Sequence, residues 1–525
     1  MRHEEYRTSR SPDNTRTIAR NTFWNGVEVL AGLVANIFTS VAVARVIGKD
    51  FVGQARLGSY QYIVFLTSIS LAVGSFGLPN TTRKYMAEYL NCGEPGVARA
   101  TYLATLKIQS AIALAVAALG LVAAFWLAAP RFFVASVLLV AAMVPRLIAT
   151  VPSQANNASE VVRRNTGPAL VGAIVSAVLT LVSLFAGWEF AGLAAAVLVG
   201  SVLECVLKLR SVERWLGGFP LGAVAPELRK RMVSYSGQGL ALLMLNIVVW
   251  DRSDVLILQA MNPDTRQILY FSLAFSLAER VLMVPSLFGG ALAFTMMAQF
   301  GRSRAHLNEM TADGARYALL VALPLLVGMA CISRPLVLVL YPTYQLMIPT
   351  LAMVALLAIP KVVVGAPTSL LQATERQGFL ILWGCLCGAV DVGLDVLLVR
   401  RYGANGAAVA NGTAQAMAAV GIWFYLSKTS DLQLKLRDFG RIVVCGAFMA
   451  FGVLAFTRAI PGTVGMFGSI AVGAALWLVT LRFTAAVRPQ DVSRFLSLGG
   501  QFPSSLRPYW QRLIAWLAQT TDAAV

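Results

Sequence analysis

The chain has 525 residues, 57% of them hydrophobic and only 13% charged, with mean hydropathy +0.69 and a formal net charge of +18. Soluble domains average about 25% charged residues, so a soluble globular protein is excluded. Apolar runs of bilayer length recur and the alternating ten-residue segments of a membrane barrel do not, so the chain reads as an all-α integral membrane protein.

Residues 1–20, MRHEEYRTSRSPDNTRTIAR, form a polar, basic N-terminal segment. The apolar stretch after it is too long for a signal-peptide core and lacks a cleavage signal, so it reads as an uncleaved first span. Apolar runs between polar breaks give about fourteen spans, at 22–47, 56–79, 101–128, 131–153, 167–187, 190–208, 233–260, 267–298, 315–333, 345–371, 378–399, 405–427, 440–459 and 463–485. The ninth and tenth are joined by RPLVLVLYPTYQ, itself apolar. Segment 80–99 and the C-terminal SLRPYWQRLIAWLAQ read as interfacial helices; in the latter, Leu506, Trp510, Leu513 and Leu517 recur at helical spacing.

An even number of spans puts both termini on one side. Loops 208–231 and 428–441 gather Lys and Arg, Lys208 among them, so the positive-inside rule makes both termini cytoplasmic. The 43 basic residues are spread over many short loops. That pattern sets orientation and attracts anionic membrane lipids; it does not fit nucleic acid. The external loops are short, which argues against a membrane glycosyltransferase or polymerase. No phosphate-cradling glycine loop, nucleophile elbow or metal motif appears, so neither enzyme activity nor a cofactor is expected. Cys92, Cys205, Cys331, Cys385, Cys387 and Cys445 are scattered, mostly within apolar runs, as small hydrophobes are.

The chain repeats itself. VPRLIATVPSQANNASE in the fourth span and IPKVVVGAPTSLLQATE in the tenth place Pro145 over Pro360, Arg146 over Lys361 and Pro152 over Pro367. FAGLAAAVLVG opens the sixth span and ANGAAVANGTA the twelfth, with Gly192 over Gly406. A looser match sets Tyr60 over Tyr270. The expected organisation is a cytoplasmic segment 1–20, an N-lobe 21–210, an inter-lobe linker 211–232, a C-lobe 233–428, two extra helices within 429–487, and a cytoplasmic tail 488–525. The two six-helix lobes have parallel topology around a central cavity, an architecture that transporters use for alternating access.

Prolines at equivalent depths, Pro145, Pro152, Pro360 and Pro367, are candidate hinges because each removes a helical donor. Arg146 and Lys361 stand beside them. A mid-span cation costs about 2.5–3.5 kcal/mol on the insertion scale, and its presence in both halves suggests an anionic occupant; snorkelling or a nearby carboxylate is the structural alternative. Arg45 near the rim and Arg252 and Arg280 at depth complete a set suited to a diphosphate. Asp251 and Asp254 in WDRSDV share a helix face and could pair internally, bind a coupling Na+ or relay H+. Asp391 is deep in the eleventh span, whereas Asp395 is close enough to Arg400 and Arg401 to pair with them. Glu28 is a further candidate for ion coupling. Tyr60, Tyr62, Trp250 and Tyr270 could stack on sugar faces or serve helix packing.

VAVARVIGKDFVGQARLGSYQYIVFLTSISLAVGSFGLP (41–79), with Ala44-Arg45, Gly48, Phe51, Gly53 and Gly77-Leu78-Pro79, resembles the opening of polysaccharide repeat-unit flippases of the multidrug/oligosaccharidyl-lipid/polysaccharide (MOP) exporter superfamily. YGANGAAVANGTAQ (402–415) resembles their twelfth-helix opening, and the likeness covers about residues 20–430. The resemblance implies a bacterial inner-membrane protein that moves a polyprenyl-diphosphate-linked oligosaccharide to the periplasmic leaflet. It also implies a cationic cavity that includes Arg45, ion or potential coupling, and a downstream polysaccharide polymerase as partner. The last two spans resemble the additional pair of the peptidoglycan-precursor branch, which helps to form a lipid-tail groove. A peptidoglycan-precursor flippase and a cation-coupled multidrug exporter of the same fold are the competing readings.

Overall fold

Helix accounts for nearly all of the computed structural model, which describes residues 32–159, 161, 163–250, 253–299, 304–374, 376–430, 436–488, 491–492, 495–496 and 507–517. Ten helices are long and apolar enough to cross a membrane, and no β-strand occurs among the described residues. Trp126, Phe185, Phe451 and Phe483 are 78, 88, 77 and 80% exposed, while Thr101, Thr105, Gln109 and Ser136 are buried. An apolar shell around a polar-containing interior suits lipid outside and helix-to-helix packing within.

The described chain divides into two units, one ending at Val248 and the other beginning at Val249. The first holds α1 (Gly32–Val46), α2 (Phe51–Ser75), α3 (Leu78–Asn91), α4 (Pro95–Leu127), α5 (Phe133–Ala158), α6 (Arg163–Phe185), α7 (Glu189–Leu216) and α8 (Pro226–Trp250), which runs just past the boundary. Asp50 starts α2 by accepting the Gly53 amide at 2.7 Å. The second predicted span does not end in a loop. The chain turns at Phe76 and Gly77 and re-enters helix as α3. Gly77 has φ 69°, and a Cβ there would lie 2.5 Å from the Ser236 carbonyl, so glycine alone fits. The Ser236 hydroxyl donates to the Phe76 carbonyl and ties α8 to this turn.

Segment 80–99 was expected to lie on the membrane. Instead α3 packs Met86 and Leu90 against Tyr102 of α4, Val151 of α5 and Val212 of α7, so its apolar face is covered by protein. Lys208 is also placed differently. It lies inside α7, is 6% exposed and pairs with Glu204 at 2.6 Å, and so is not a loop cation. Helical spacing brings the carboxylate one turn below the ammonium and offsets the cost of its burial.

The second unit holds α9 (Asp254–Met261), α10 (Arg266–Gln299), α11 (Arg304–Cys331), α12 (Ser333–Leu340), α13 (Met347–Leu357), α14 (Ile359–Ala373), α15 (Gln377–Tyr402), α16 (Ala404–Thr429), α17 (Leu436–Ala459), α18 (Gly462–Phe483) and α19 (Arg507–Leu517). The seventh predicted span is divided between α8 and α9, and the apolar RPLVLVLYPTYQ contributes most of α12. The tenth is divided at Ala358 between α13 and α14. Its counterpart α5 runs unbroken through Pro145 and Pro152. Pro360 falls in the first turn of α14, where a missing donor breaks no helical bond. Pro145, Pro152 and Pro367 lie inside helices, whereas Pro360 directly follows the break at Ala358.

The echoed glycines do matching work. A Cβ on Gly192 would lie 2.4 Å from Ser183 Cβ, and one on Gly406 2.6 Å from the Leu398 carbonyl oxygen. Each lets a helix seat closely on its predecessor, α7 on α6 and α16 on α15.

The C-terminal helices join the second unit through a core of Leu319 and Leu323 of α11, Met449 of α17, Leu481 of α18, and Ile514 and Leu517 of α19. The apolar face of α19, expected to meet the membrane, is thus largely covered by protein. An ionic network supports this docking. Arg316, 1% exposed, meets Asp491 at 2.5 Å, and the Tyr317 hydroxyl donates to the same carboxylate at 2.6 Å. Arg488 pairs with Asp313 at 3.1 Å and with Asp438. Burial pushes the Asp491 carboxyl up, but hydrogen bonds from Arg316 and Tyr317 outweigh it and hold it below the usual carboxylate range. A depressed folded value stabilises docking above the unfolded value of about 3.9, and that stabilisation fades as pH falls through the folded value. Asp491→Asn is therefore expected to cost about 3 kcal/mol, since it strands a buried guanidinium. Limited proteolysis checks this: α19 should become cleavable in the variant, and unchanged protection at neutral pH would contradict the network's role.

Candidate functional site

Asp254 is the first residue of α9, and Asp391 and Asp395 are one turn apart on α15, which packs against α9. All three are buried, at 0, 0 and 1% exposure. One oxygen from each carboxylate lies within 4.8 Å of the other two. The Asn411 amide nitrogen on α16 donates to Asp254 Oδ2 at 3.3 Å. Neither oxygen of Asp391 has a hydrogen-bond partner among the described residues, and the Asp254 and Asp395 carboxyls stand close enough to hydrogen-bond to each other when one carries a proton. A carboxylate at the start of a helix gains from its positive pole, yet three buried carboxylates repel each other and have lost water. The arrangement is complete when positive charge sits between them.

The donor set tests what that charge is. Every ligand atom offered by the cluster is a hard oxygen; thiolate and imidazole are absent from it. The cluster therefore fits an alkali or alkaline-earth cation and not a soft transition metal.

Asn411 also connects the cluster to a small cavity of about 20 Å³, room for about one water, lined by Phe271 and Phe275 of α10, Val354 and Leu357 of α13, and Asn411 and Gln415 of α16. Gly412 allows the approach, because a Cβ there would lie 2.4 Å from Leu357 Cβ. The Gln415 amide nitrogen donates to Asn411 Oδ1 at 2.6 Å. The Lys361 ammonium lies 6.0 Å from the centroid of the Phe275 ring.

The structure thus brings together Asp254 and Asp391, two of the residues singled out for ion coupling. Asp395 joins them and does not pair with Arg400 or Arg401; the register of α15 turns its carboxylate inward, along the same face as Asp391. Glu28, Asp251 and Arg252 lie outside the described residues. Among the predicted cations, Arg45 is exposed near the end of α1, Arg280 is half-buried in α10, and Lys361 is half-buried at the start of α14. Arg146 is exposed at mid-α5 and within electrostatic reach of Glu204. A guanidinium at that depth is tolerated beside water-filled space and disfavoured against lipid tails. Tyr60 packs on Phe190 at 5.1 Å and Tyr270 on Tyr344 at 6.1 Å, both buried, so these two serve packing.

Asn411, Gln415 and Glu204 were not singled out from the sequence. The available signal for the first two was a pair of amides four apart in a helix otherwise rich in alanine and glycine.

No protein-family model and no curated protein sequence matches this chain. Its fold does match solved structures. A structure described as lipid II flippase MurJ in an inward closed conformation aligns with TM-score 0.65 and 14% identity, covering 87% of this chain and 97% of that one. An inward-facing multidrug-resistance MATE transporter of the MOP superfamily aligns with TM-score 0.63 and 13% identity, covering 76% and 95%. A MOP superfamily transporter from Pyrococcus furiosus, described as having a binding pocket of reverse polarity, aligns with TM-score 0.60 and 14% identity, covering 79% and 96%. The chain has the fold of MOP superfamily transporters.

Proposed function

We propose that this chain is a lipid flippase that moves a polyprenyl-diphosphate-linked oligosaccharide, a polysaccharide repeat unit, from the cytoplasmic to the periplasmic leaflet. Movement is by alternating access, driven by a cation held at Asp254, Asp391 and Asp395. The reading includes fourteen spans, an inner-membrane location and both termini in the cytoplasm. Arg45, Arg146, Arg252, Arg280 and Lys361 are its candidate diphosphate contacts.

A separation of charge carries the reading. The acidic groups of α9 and α15 are sequestered together without a basic partner among the described residues, whereas basic Arg146 stands exposed at mid-helix. An exporter of organic cations calls for the reverse, with acids facing the substrate and no guanidinium there. The alignment with the lipid II flippase also covers 87% of this chain, against 76% for the inward-facing MATE transporter. Lipid II itself is the second substrate reading, favoured by that same alignment.

Mass spectrometry of lipids that co-purify with the protein from its native membrane tests the substrate class. The expected result is a polyprenyl diphosphate carrying sugars. A pentapeptide on that glycan would assign lipid II instead, and bulk phospholipid alone would contradict the flippase reading.

A further inference from the structure

The cluster and the cavity are joined by two amides in series. A carboxylate can only accept hydrogen bonds, so the atom that Asn411 turns toward Asp254 is its nitrogen. Asn411 Oδ1 then faces Gln415, whose nitrogen donates to it. Gln415 Oε1 is left buried with no partner among the described residues, on a side chain that lines the cavity and is 3% exposed. Each bond of this chain points toward the cluster.

A cation among the carboxylates reverses the demand on Asn411. A metal ion attracts oxygen and repels the N–H dipole, so Asn411 turns Oδ1 toward the cluster and Nδ2 toward Gln415. Half a turn about the terminal torsion exchanges two atoms of nearly equal size, so close packing does not forbid it. Gln415 then has to accept, and its unpartnered Oε1 is the atom that can. Its nitrogen passes to the cavity side in exchange.

The geometry points to Asn411 and Gln415 as a two-amide relay that reports cation occupancy of the Asp254–Asp391–Asp395 cluster to the cavity. It rests on the reading of that cluster as a cation site. Without the cation, Gln415 offers the cavity an acceptor; with it, a pair of donors. Cation binding therefore favours an ordered water at that end of the cavity, and such a water favours the cation in return, since coupling of this kind is reciprocal. Gln415 is a positioning residue. It touches no carboxylate of the cluster, but it sets which atom Asn411 shows them.

Radioactive sodium or calcium binding to the purified full-length protein tests the relay. Gln415→Glu can only accept when ionised, and so holds Asn411 in the cation-ready orientation. Gln415→Lys can only donate and holds the opposite one. Each also changes the local field, so both are compared in the natural background and in Asn411→Ala, which has no amide to turn. The relay predicts tighter binding for Gln415→Glu and weaker for Gln415→Lys, each by about tenfold more in the natural background than in Asn411→Ala. If Gln415→Lys does not fold, Gln415→Glu alone decides the matter. Equal shifts in the two backgrounds would overturn the relay and leave the cation site standing. No saturable binding of either ion to the wild-type protein would overturn the cation site, and the relay with it.

Discussion

Asp391→Asn is expected to lower cation affinity by about a hundredfold, which corresponds to about 2.7 kcal/mol for the loss of one charged ligand among three. The same substitution should raise the melting temperature in cation-free buffer. Asp391 has two buried oxygens without a hydrogen-bond partner and two carboxylate neighbours within 4.8 Å. Removing its charge relieves repulsion that only a cation otherwise relieves. The two effects have opposite signs, and this distinguishes a binding site from a structural ion cluster. A structural cluster held by internal pairing loses stability when one member is neutralised. Thermal melts of wild type and variant, with and without sodium or calcium, measure both at once. A variant that is less stable in cation-free buffer and binds as tightly as wild type would contradict the site.

Arg146→Gln and Lys361→Gln are each expected to slow flipping by about tenfold, and the double variant to abolish it, because charge-assisted bonds to a phosphate are worth about 1.5–3 kcal/mol each. Both positions follow a proline in the sequence echo, yet their surroundings differ. Arg146 lies in the continuous α5 and is exposed, with Glu204 in electrostatic reach. Lys361 lies in the first turn of α14, half-buried, near Phe275. Glutamine is shorter than either residue but keeps a polar, hydrogen-bonding side chain at each position while removing the charge, so folding is preserved. Flipping at the wild-type rate by a well-folded double variant would remove both residues from the substrate path.

The helical class was legible because bilayer length and hydropathy are local properties of a run of residues. Where helices break was not. The turn at Phe76–Gly77 depends on Ser236, which is 160 positions away in sequence. The break at Ala358 has no counterpart in α5 despite the shared prolines: α5 carries Pro145 and Pro152 within one continuous helix, whereas Pro360 opens a new one. Part of the acidic cluster was legible too. Asp254 and Asp391 stood out as rare acids in apolar runs, a signal that needs no tertiary information. Asp395 lies four positions from Asp391 on one face of the helix and also near Arg400 and Arg401, and only the placement of α9 beside α15 decides between those partners. Asn411 and Gln415 carry no charge and sit in a stretch whose small residues advertise packing, so their part emerges only when α9, α15 and α16 are placed together. Lys208 shows the opposite error: a cation at the edge of an apolar run counts as loop until its carboxylate partner is seen one turn away.

On the proposed function, a cation gradient drives a diphosphate-linked glycolipid across the bilayer through this chain. Flipping of a polyprenyl-diphosphate-linked saccharide in proteoliposomes, with an imposed sodium or calcium gradient and with that gradient collapsed, tests this. Gradient-accelerated flipping is expected of the wild type, with loss of the acceleration in Asp391→Asn. Flipping that ignores every imposed gradient, or no flipping of the glycolipid at all, would contradict it.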